Sequence, residues 1–487
     1  MYIGLDIGTS SIKAILVDAS QHILAQSTID LSISRPQPGW SEQHPEDWWK
    51  ACLQAFKELY ENAPKEYAHT QAIGLSGQMH GAVLLGRNHE VLRPAILWND
   101  GRSNKQCHAL EQRLPELSQI TGNLAMPGFT APKLLWVAEN EPDIFSQVNK
   151  VLLPKDYIRF RLTNHFASDM SDSAGTLWLN VEKRTWAAEC LEACGLSEAH
   201  MPELFEGSEA TSNLSSDIAN ELKLSEKVII AGGGGDNACA AVGIGAVENS
   251  QAFISLGTSG VYFVANDQYR PNPSRGVHAF CHALPNTWHQ MGVTLSAASS
   301  LEWFSQISGC NDISDLMAEI ENTQNKPSSS LFLPYLSGER TPHNNPDARG
   351  VFFGMSLDSN RAELGRAVLE GVAFSLADAQ QALLQGGSKI GTASVVGGGS
   401  RSKLWGEIIA SALQRPLHYL IDGELGPAFG ASRLARLAHT GENITQVCMP
   451  AKTNYVQTAN QHWQKNYQIQ FKQYQSLYQK LFSKTSS

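Results

Sequence analysis

The sequence predicts an α/β protein built from two similar lobes. Segments rich in β-branched and aliphatic residues alternate with helical patterns along the 487 residues, and this alternation is typical of α/β architecture. Residues 2–17 predict two strands joined by a tight turn, and residues 252–264 predict the same unit. Gly8 in the first turn aligns with Gly257 in the second, at an offset of 249 residues. Because that offset is about half the chain, a duplicated lobe is the simplest interpretation.

A second pair of segments is also interpreted as a trace of the duplication. Residues 228–236 and 394–401 each predict a strand that enters a glycine cluster and is followed by a helix. We therefore divide the chain into an N-terminal lobe, 1–247, and a C-terminal lobe, 248–487. The tail from Gln461 onward carries apolar side chains three or four positions apart, which predicts a helix with one packing face. These side chains are Trp463, Tyr467, Phe471, Tyr474, Tyr478 and Leu481.

Composition narrows the range of partners. The formal net charge is −10, from 37 basic and 47 acidic residues, and there is no long basic run, so neither a nucleic acid nor an anionic membrane is expected as a partner. A small anion such as ATP is compatible with this charge, because backbone N–H groups bind phosphate locally.

We find no apolar span of 18 residues and no signal-peptide pattern. The eight cysteines are scattered without zinc-binding spacing, so we expect buried, reduced thiols and a cytoplasmic protein.

Both predicted hairpin turns have the composition of phosphate-binding loops. Glycine permits the close approach and positive φ angles that turn backbone N–H groups toward a phosphate, and the hydroxyls of Thr9, Ser10 and Thr258 can add to them. The repeat places Asp6 opposite Ser255. A carboxylate on one side only suits a Mg²⁺ ion held beside the phosphates. Taken alone, however, a strand-end turn is the simpler explanation for Asp6.

A run of four glycines, 232–235, leads into Asp236 and Asn237. The small residues that follow predict a helix, so Asp236 falls at a strand-to-helix junction where glycines admit a substrate. A carboxylate there can accept the proton of a hydroxyl that attacks the γ-phosphorus of ATP. Asp and Asn at such a place also commonly cap the helix, and the local sequence leaves both explanations open.

Three further segments are candidates for ligand-facing loops. Residues 397–402 contain a glycine triplet that can let adenine and ribose lie against the main chain, although a plain strand-to-helix turn is the simpler local explanation. Residues 74–81 and 97–102 put polar side chains directly after apolar runs, where ligands of α/β sheets bind. Taken alone, His80 in the first of these loops is more typical of a structural histidine.

Motifs of several other enzyme classes are absent from the sequence. It contains no G-x-x-x-x-G-K-[ST] P-loop, no H-E-x-x-H zinc helix and no G-x-S-x-G nucleophile elbow. These absences argue against a P-loop ATPase, a zinc metalloprotease of that type and an α/β-hydrolase.

Several longer runs together resemble one family, the FGGY carbohydrate kinases, and within it the bacterial members that phosphorylate D-xylulose. The resemblance extends from residue 2 to about residue 480 and rests on these runs: S-G-Q-M-H-G at 76–81, L-W-N-D-G-R at 97–102, L-P-K-D-Y at 153–157, S-D-M-S-D at 168–172, L-S-G-E-R-T-P-H-N-N at 336–345 and G-P-A at 426–428. It implies a duplicated actin/hexokinase-type (ribonuclease H-like) ATPase fold, with two lobes around a central cleft.

The resemblance also implies an activity and roles for single residues. A sugar-binding N-terminal lobe and a nucleotide-binding C-terminal lobe would use ATP and Mg²⁺ to phosphorylate a ketosugar. Asp236 would take the proton from the C5 hydroxyl of the sugar, and Asp6 would lie beside Mg²⁺, directly or through water. The implied sugar contacts are Met79, His80, Asp236 and Asn237, and the implied ATP contacts are Gly8, Thr9, Ser10, Lys13, Gly257, Thr258, Gly398, Gly399 and Ser402.

One departure from the family pattern is the fourth glycine before Asp236, because the related kinases usually have three. An added residue there would shift the loop that carries the implied base. The resemblance further implies a homodimer.

Three alternative functions follow from the same residues. The first is a sister kinase for ribulose, another ketose or glycerol; Met79 and His80 argue against the glycerol kinases, which resemble this chain but carry Arg-Glu there. The second is a non-kinase ATPase of actin or chaperone type, from which Asp236 and its glycines distinguish the chain. The third is a sugar-binding regulator without catalysis, against which the presence of both Asp6 and Asp236 argues.

Overall fold

The computed structural model of the protein describes residues 1–310, 312–323, 326–421 and 426–482. Each half of the chain contains a seven-stranded mixed sheet with helices packed on it, and this is the predicted two-lobed α/β architecture.

The strands are β1 (Tyr2–Ile7), β2 (Ser11–Val17), β3 (Ile23–Asp30), β4 (Glu42–Gln43), β5 (Ala72–Gly77), β6 (Val83–Leu85), β7 (Ala95–Ile96), β8 (Lys150–Leu152), β9 (Ala167–Asp169), β10 (Leu179–Asn180), β11 (Thr185–Trp186), β12 (Glu203–Phe205), β13 (Ala210–Asn213), β14 (Ile229–Ala231), β15 (Gly234–Gly235), β16 (Ala252–Leu256), β17 (Gly260–Asn266), β18 (His278–Cys281), β19 (Trp288–Thr294), β20 (Leu331–Leu333), β21 (Val351–Phe353), β22 (Ala393–Val396), β23 (Leu417–Leu420) and β24 (Thr453–Gln457).

The helices are α1 (Pro45–Asn62), α2 (Pro64–Tyr67), α3 (Asn104–Arg113), α4 (Leu117–Thr121), α5 (Thr130–Asn140), α6 (Pro142–Phe145), α7 (Pro154–Thr163), α8 (Met170–Ser173), α9 (Ala188–Glu192), α10 (Ser216–Leu222), α11 (Asp236–Ile244), α12 (Ala298–Ile307), α13 (Ile313–Thr323), α14 (Arg361–Gln385), α15 (Lys403–Leu413), α16 (Pro427–Thr440), α17 (Ile444–Val447) and α18 (Gln461–Phe482). Short 3₁₀ segments cover Ala174–Thr176, Glu198–His200, Pro273–Arg275 and Gly398–Arg401.

The two sheets share one strand order. In the N-terminal sheet the order is β3-β2-β1-β5-β14-β13, with β15 also paired to β5. The hairpin β1–β2 and the pair β2–β3 are antiparallel, whereas β5 is parallel to β1 and β14 is parallel to β5. In the C-terminal sheet the order β19-β17-β16-β22-β23 repeats this pattern of two antiparallel and two parallel pairings. The predicted duplication is confirmed.

The second pair of segments does not occupy equivalent places in the two lobes. The strand in 394–401 is β22, which is the parallel neighbour of the hairpin strand β16. The strand in 228–236 is β14, which lies one position further out, beyond β5. The topological counterpart of β22 is therefore β5, and that part of the sequence interpretation was wrong. Both segments end in glycine because each leads from a strand into a loop at the same edge of its sheet.

The lobes are joined by direct backbone packing. Helix α16, from the second half of the chain, packs on β1, β5 and α11 of the first half. The approach is so close that a Cβ atom on Gly4 would lie 1.8 Å from the carbonyl oxygen of Ala428, and a Cβ on Gly74 would lie 1.8 Å from that of Ala431. Glycine at these positions lets a helix of one lobe contact the sheet of the other without intervening side chains.

The tail forms the predicted packing helix, α18. Its aromatic stripe joins the C-terminal core through Trp463, Tyr467, Tyr474 and Tyr478, all of which are buried. Leu481 is the exception, since it is 50% exposed at the end of the helix.

The state of the cysteines agrees with the prediction from composition. All eight cysteines are free and buried, as expected. Within the described ranges, no helix combines the length and the apolar character needed to cross a membrane.

We expect the substitution Gly74→Ala to lower the free energy of unfolding by about 3 kcal/mol or more, because the new methyl group would overlap a backbone carbonyl that cannot rotate away. Gly101→Ala is the matched control, since a Cβ there would have its nearest neighbour 3.8 Å away, and a change within about 0.5 kcal/mol is expected. Urea unfolding followed by circular dichroism measures both. Equal losses in the two variants would contradict the close packing of α16.

Candidate active site

Two carboxylates reach the same edge of the N-terminal sheet. Asp6 lies near the end of β1, opposite Lys13 of β2 on one side and Ser76 of β5 on the other. On the far side of β5, Gly235 ends β15 and Asp236 begins α11. Because neighbouring strands lie about 4.8 Å apart and only β5 lies between β1 and β15, Asp6 and Asp236 face the same part of the cleft.

The glycine run before Asp236 contains a bulge. The pairing of this segment with β5 shifts by one residue between Ile230 and Gly234. Gly233 takes a φ of 71°, and a Cβ atom there would lie 2.0 Å from the carbonyl oxygen of Leu75, so only glycine fits. The bulge absorbs one residue, and β15 then runs in register with β5. The fourth glycine is thus accommodated without moving Asp236 away from the sheet edge.

The two oxygens of Asp236 have different surroundings. Oδ1 accepts hydrogen bonds from the backbone N–H of Asn237, at 2.7 Å, and from its side-chain Nδ2, at 2.9 Å. Oδ2 accepts none from the described residues. The N-cap of α11 is Gly235, and Asp236 is the first helical residue, so its side chain does not cap the helix. The arrangement holds the carboxylate by one oxygen and leaves the other for a ligand.

Burial raises the pKa of both carboxylates. For Asp236 the negative charge of Asp6 adds to the effect of burial, the two hydrogen bonds from Asn237 oppose it, and the pKa is raised to about 7. For Asp6 burial raises the pKa to about 6, against the hydroxyl of Ser76, 2.8 Å from Oδ1, and the positive charge of Lys13. A carboxylate with a pKa near neutrality is well matched to general-base catalysis at physiological pH.

The first hairpin turn is held by polar side chains of two neighbouring loops. The Thr9 hydroxyl donates to Oε1 of Gln78 and accepts from Nε1 of Trp98, both at 2.9 Å. The N–H of Gly8 is used inside the turn, where it donates to the carbonyl of Ser11 at 3.0 Å. The backbone N–H groups of Thr9 and Ser10 have no acceptor among the described residues, so they are what the turn can offer a phosphate.

The second hairpin turn is tied to the start of α12. The carbonyl oxygen of Thr258 accepts from the N–H of Ala297, at 3.0 Å, and from the hydroxyl of Ser299, at 2.7 Å. Gly257 donates its N–H to the carbonyl of Ser259. The N–H groups of Thr258 and Ser259 find no acceptor in the described part of the chain. Both turns therefore present two unpaired N–H groups, which is the donor pattern that binds phosphate oxygens.

A cavity of about 510 Å³ lies between α11 and the C-terminal sheet, with Asp236 at one end. Gly398 lines it, and a Cβ atom on Gly398 would meet nothing within 4 Å. Gly399 and Ser402 lie behind the wall of the cavity that Gly398 forms. A Cβ on Gly399 would lie 2.9 Å from the Leu256 side chain. The Ser402 hydroxyl caps α15 by accepting a hydrogen bond from the N–H of Trp405. The volume is in the range of small-molecule sites.

His80 is held as a neutral hydrogen-bond acceptor. Its Nδ1 lies 2.6 Å from the carbonyl oxygen of Gly175, so Nδ1 carries the proton and donates it. Its ring packs edge-on against Phe129 at 4.7 Å between centroids, and its own carbonyl accepts from Nζ of Lys133. Burial lowers the pKa of His80 to about 3. The unprotonated Nε2 has no partner among the described residues and can accept a hydrogen bond from a sugar hydroxyl.

Met79 contributes differently from His80. Its side chain is only 6% exposed and packs beneath Gly235, where a Cβ atom would lie 2.9 Å from Sδ. The backbone N–H and C=O of Met79 have no partner in the described residues. What Met79 offers to a ligand is therefore its main chain, while its side chain supports the loop that carries Asp236.

The loop 97–102 contacts the first hairpin turn through Trp98. Trp98 is 41% exposed and contacts Thr9. Asp100 and Arg102 are buried and form an ion pair at 2.7 Å, and the Arg102 guanidinium stacks on Trp40 at 3.6 Å from the ring centroid. The interpretation of this loop as ligand-facing was thus wrong for its charged residues, which hold the loop in place.

The donor set fits a Mg²⁺ ion bound together with a nucleotide. Oδ2 of Asp6 accepts no hydrogen bond from the described residues, and Asp236 is the second carboxylate at this edge. Among the residues described, no group of three or more His, Cys, Asp or Glu side chains could bind a metal ion by themselves. Mg²⁺ in phosphotransferases is usually bound through one or two carboxylates, substrate phosphates and waters, so a single free carboxylate oxygen is suitable.

Comparison with known proteins decides the family. Residues 1–243 match the N-terminal domain, and residues 252–439 the C-terminal domain, of the FGGY family of carbohydrate kinases. The chain belongs to this family. It is 50% identical over 450 residues to the xylulose kinase of Escherichia coli, with 92% of each chain covered.

Solved structures of FGGY kinases have the same architecture. The crystal structure of a xyloylose (xylulose) kinase from Brucella ovis matches with a TM-score of 0.96 and 51% identity over 99% of each chain. A glycerol kinase from Plasmodium falciparum with ADP has a TM-score of 0.90 at 19% identity, covering 99% of this chain and 98% of that one, which is evidence for the fold alone. The predicted two-lobed, actin/hexokinase-type fold is confirmed.

Three residues that position the site of this FGGY kinase were not predicted from its sequence. Gln78 and Trp98 hold the Thr9 hydroxyl, and Ser76 donates to Asp6. Each follows or ends a predicted strand inside a loop that was already singled out. The spacing therefore pointed to the loop, whereas the contact with a distant turn depends on how β1, β5 and the 97–102 loop pack.

We expect Asp236→Asn to stabilise the FGGY kinase more at pH 8 than at pH 5. The folded-state pKa of about 7 lies above the ordinary aspartate value of 3.8, so the folded state binds more protons between these pH values and loses stability as the pH rises through them. Asn removes that penalty. Differential scanning fluorimetry should show that the Tm difference between variant and wild type grows from pH 5 to pH 8. The exposed Asp358→Asn is the control and should show a flat difference; a flat difference for Asp236→Asn as well would mean that the carboxylate is not buried.

Proposed function

We propose that this protein is a kinase that transfers the γ-phosphoryl group of ATP to the C5 hydroxyl of D-xylulose, giving ADP and D-xylulose 5-phosphate. The observation that carries the proposal is the position of Asp236, which lines the inter-lobe cavity and directly follows Gly235, the residue that packs on Met79 next to His80. The likeness to xylulose kinases over almost the whole chain supports the choice of sugar.

Asp236 is the proposed general base. Its Oδ2 accepts the proton of the C5 hydroxyl as that oxygen forms a bond to the γ-phosphorus and the bond to the β,γ-bridging oxygen breaks. Asn237 fixes Oδ1 during this step. Phosphoryl transfer leaves little covalent chemistry to the protein, so most of the rate must come from alignment of the two substrates and from stabilisation of charge.

We propose that the C-terminal lobe, 248–487, binds the nucleotide and that the N-terminal lobe, 1–247, binds the sugar. Adenosine would occupy the 510 Å³ cavity against Gly398, with Gly399 and Ser402 behind that wall. The phosphates would lie between the two turns, where the N–H groups of Thr9, Ser10 and Thr258 are unpaired. Gly8, Gly257 and Lys13 complete the proposed ATP contacts, the glycines by shaping the turns and Lys13 by its charge next to Asp6.

Asp6 is the proposed Mg²⁺ carboxylate, directly or through a water. When bound, Mg²⁺ would neutralise charge that develops on the transferred phosphoryl group. Ser76 holds Oδ1 of Asp6 and thereby orients Oδ2. The equivalent position in the C-terminal lobe is Ser255. Of these two repeat positions, Asp6 therefore supplies the carboxylate for the metal ion.

The loop after β5 would bind the sugar and recognise its hydroxyl groups. His80 Nε2 accepts from one hydroxyl, the Met79 main chain contacts another, and Asn237 lies beside the C5 hydroxyl next to Asp236. A neutral imidazole suits an uncharged sugar better than a cation, because it offers a directed acceptor without a charge to desolvate.

D-Xylulose is expected to give the highest kcat/KM in a panel of pentuloses, hexuloses and glycerol, measured by coupled ADP release. The reason is that His80 and Asp236 are fixed by packing, so a sugar with a displaced hydroxyl loses alignment. Ribulose or glycerol exceeding D-xylulose tenfold, or about 1.4 kcal/mol of transition-state preference, would reject the substrate assignment.

Asp236→Asn should lower kcat about a hundredfold or more, since removal of a general base typically costs 10²- to 10⁴-fold. ATP binding, followed by fluorescence of a nucleotide analogue, should be retained. In the wild type, kcat/KM should fall as the pH decreases through about 7, where the Asp236 carboxylate becomes protonated. A variant with more than a tenth of wild-type kcat would show that Asp236 is not the base.

Asp6→Asn should also lower kcat, but with a weakened response to Mg²⁺ concentration, because the variant loses the charge on the metal side. Initial rates across a Mg²⁺ titration at fixed ATP separate it from Asp236→Asn, whose Mg²⁺ response should match the wild type. Identical Mg²⁺ curves for all three proteins would remove Asp6 from the metal site.

We also propose a cytoplasmic location, which the eight buried, unpaired thiols support, and a homodimeric state, which the family resemblance supports. Light scattering coupled to gel filtration tests the second.

A further inference from the structure

A buried ionic cluster lies directly behind the glycine run that carries Asp236. It comprises two cations and three carboxyl groups from α7, β9 and α8, all of them at most 1% exposed: Lys155, Asp156, Arg159, Asp169 and Asp172. None of these side chains reaches the cleft, so the cluster takes no direct part in the proposed reaction.

Lys155 is the centre of this cluster. Its Nζ lies 2.6 Å from Asp156, 2.7 Å from Asp169 and 3.2 Å from Asp172. Burial among two other carboxylates raises the pKa of Asp172 well above its ordinary value. Buried ion clusters of this kind seldom add net stability compared with well-packed apolar residues. Stability alone therefore does not explain this cluster.

Arg159 of the cluster, together with Ser171, which bonds to Asp169 of the cluster, contacts three backbone atoms of residues 231–235. Arg159 donates from Nη1 to the carbonyl of Ala231 at 3.0 Å and from Nη2 to that of Gly232 at 2.6 Å. The hydroxyl of Ser171 accepts the N–H of Gly235 at 3.1 Å and donates to Asp169.

These contacts replace the side-chain packing that glycine cannot provide. Residues 232–235 have no side chains with which to hold a conformation, and glycine has the largest backbone entropy to lose. Of the three contacts, the hydrogen bond from Gly235 is the nearest to the base, one residue before Asp236. Arg159 acts at the other end of the bulge.

We propose that Ser171 and Arg159 are positioning residues for catalysis: anchored by the Lys155 cluster, they clamp the two ends of the glycine run and so fix the Asp236 carboxylate against the sugar hydroxyl. The inference rests on the proposed function, in which Asp236 is the base.

The test compares Ser171→Ala with Ser173→Ala. Both serines are in α8 and fully buried, and each loses one hydroxyl. The Ser173 hydroxyl bonds to Ser168 at 2.9 Å and does not touch the glycine run. Any loss that comes only from burying an incomplete polar network should therefore be shared by the two variants. A loss that comes from the clamp should appear in Ser171→Ala alone.

We expect kcat of Ser171→Ala to be at least tenfold below that of Ser173→Ala, with KM for ATP changed less than threefold and with similar Tm values. The acid limb of the kcat/KM profile should also move to lower pH in Ser171→Ala only, because a loosened loop lets water reach Asp236. The charged groups that act on Asp236 and Asp6 are each other and Lys13, and they are unchanged in both variants. Arg159→Lys, which keeps the charge but can bond only one of the two carbonyls, should show the same signature.

Equal kcat values within twofold for the two serine variants, or an acid limb that stays in place, would overturn the inference. Asp236→Asn separates this failure from failure of the proposed function. If Asp236→Asn is inactive while the serine variants are equal, only the clamp is refuted. If Asp236→Asn retains more than a tenth of wild-type kcat, the role of Asp236 is refuted and the clamp with it.

Discussion

The active site depends on the parallel pairing of β5 between β1 and β15. Asp6 of β1 and Gly234 of β15 both pair with Ser76, so the proposed metal-side carboxylate lies level with the residue two positions before the proposed base, and both reach one sheet edge. A shift of one residue in the pairing of a strand turns all of its side chains to the opposite face of the sheet. A slip of one residue in β5 would turn Ser76 to the other face of the sheet and break its hydrogen bond to Asp6. The bulge at Gly233 lets β15 pair in register with β5 after the one-residue shift from β14.

In the proposed function, the duplicated fold uses equivalent places for different ligands. Ser76 in β5 and Val396 in β22 are the partners of Asp6 and of its repeat position Ser255. The loop after β5 carries His80, and the loop after β22 carries Gly398. The first is the proposed sugar loop and the second is the proposed adenosine loop. One backbone arrangement thus supports two binding chemistries, because the sheet edge determines where a loop lies and its side chains determine what it binds.

The burial of Asp6 and Asp236 lowers the stability of the fold, and this cost is inherent in the proposed site. The raised pKa values of Asp6 and Asp236 mean that ionisation near neutral pH opposes folding. The close packing of α16 on Gly4 and Gly74 is one source of compensating stability, since it removes both backbones from water without a gap.

The sequence by itself determined the α/β class, the duplicated hairpin, the tail helix and the segments that line the cleft, because these follow from periodicity, glycine placement and motif runs within short windows. It left Asp236 as either cap or base, and it misassigned the counterpart of β22 and the charged residues of the 97–102 loop. Only the tertiary structure showed that Asp236 does not cap α11, that β5 is the counterpart of β22, and that the side chains of Asp100 and Arg102 are buried. Burial of Arg102 against Trp40, the bond from Trp98 to Thr9 and the contacts of Arg159 with the glycine run each join residues more than 60 positions apart. Such contacts arise from the packing of whole strands and helices, and no local pattern encodes them.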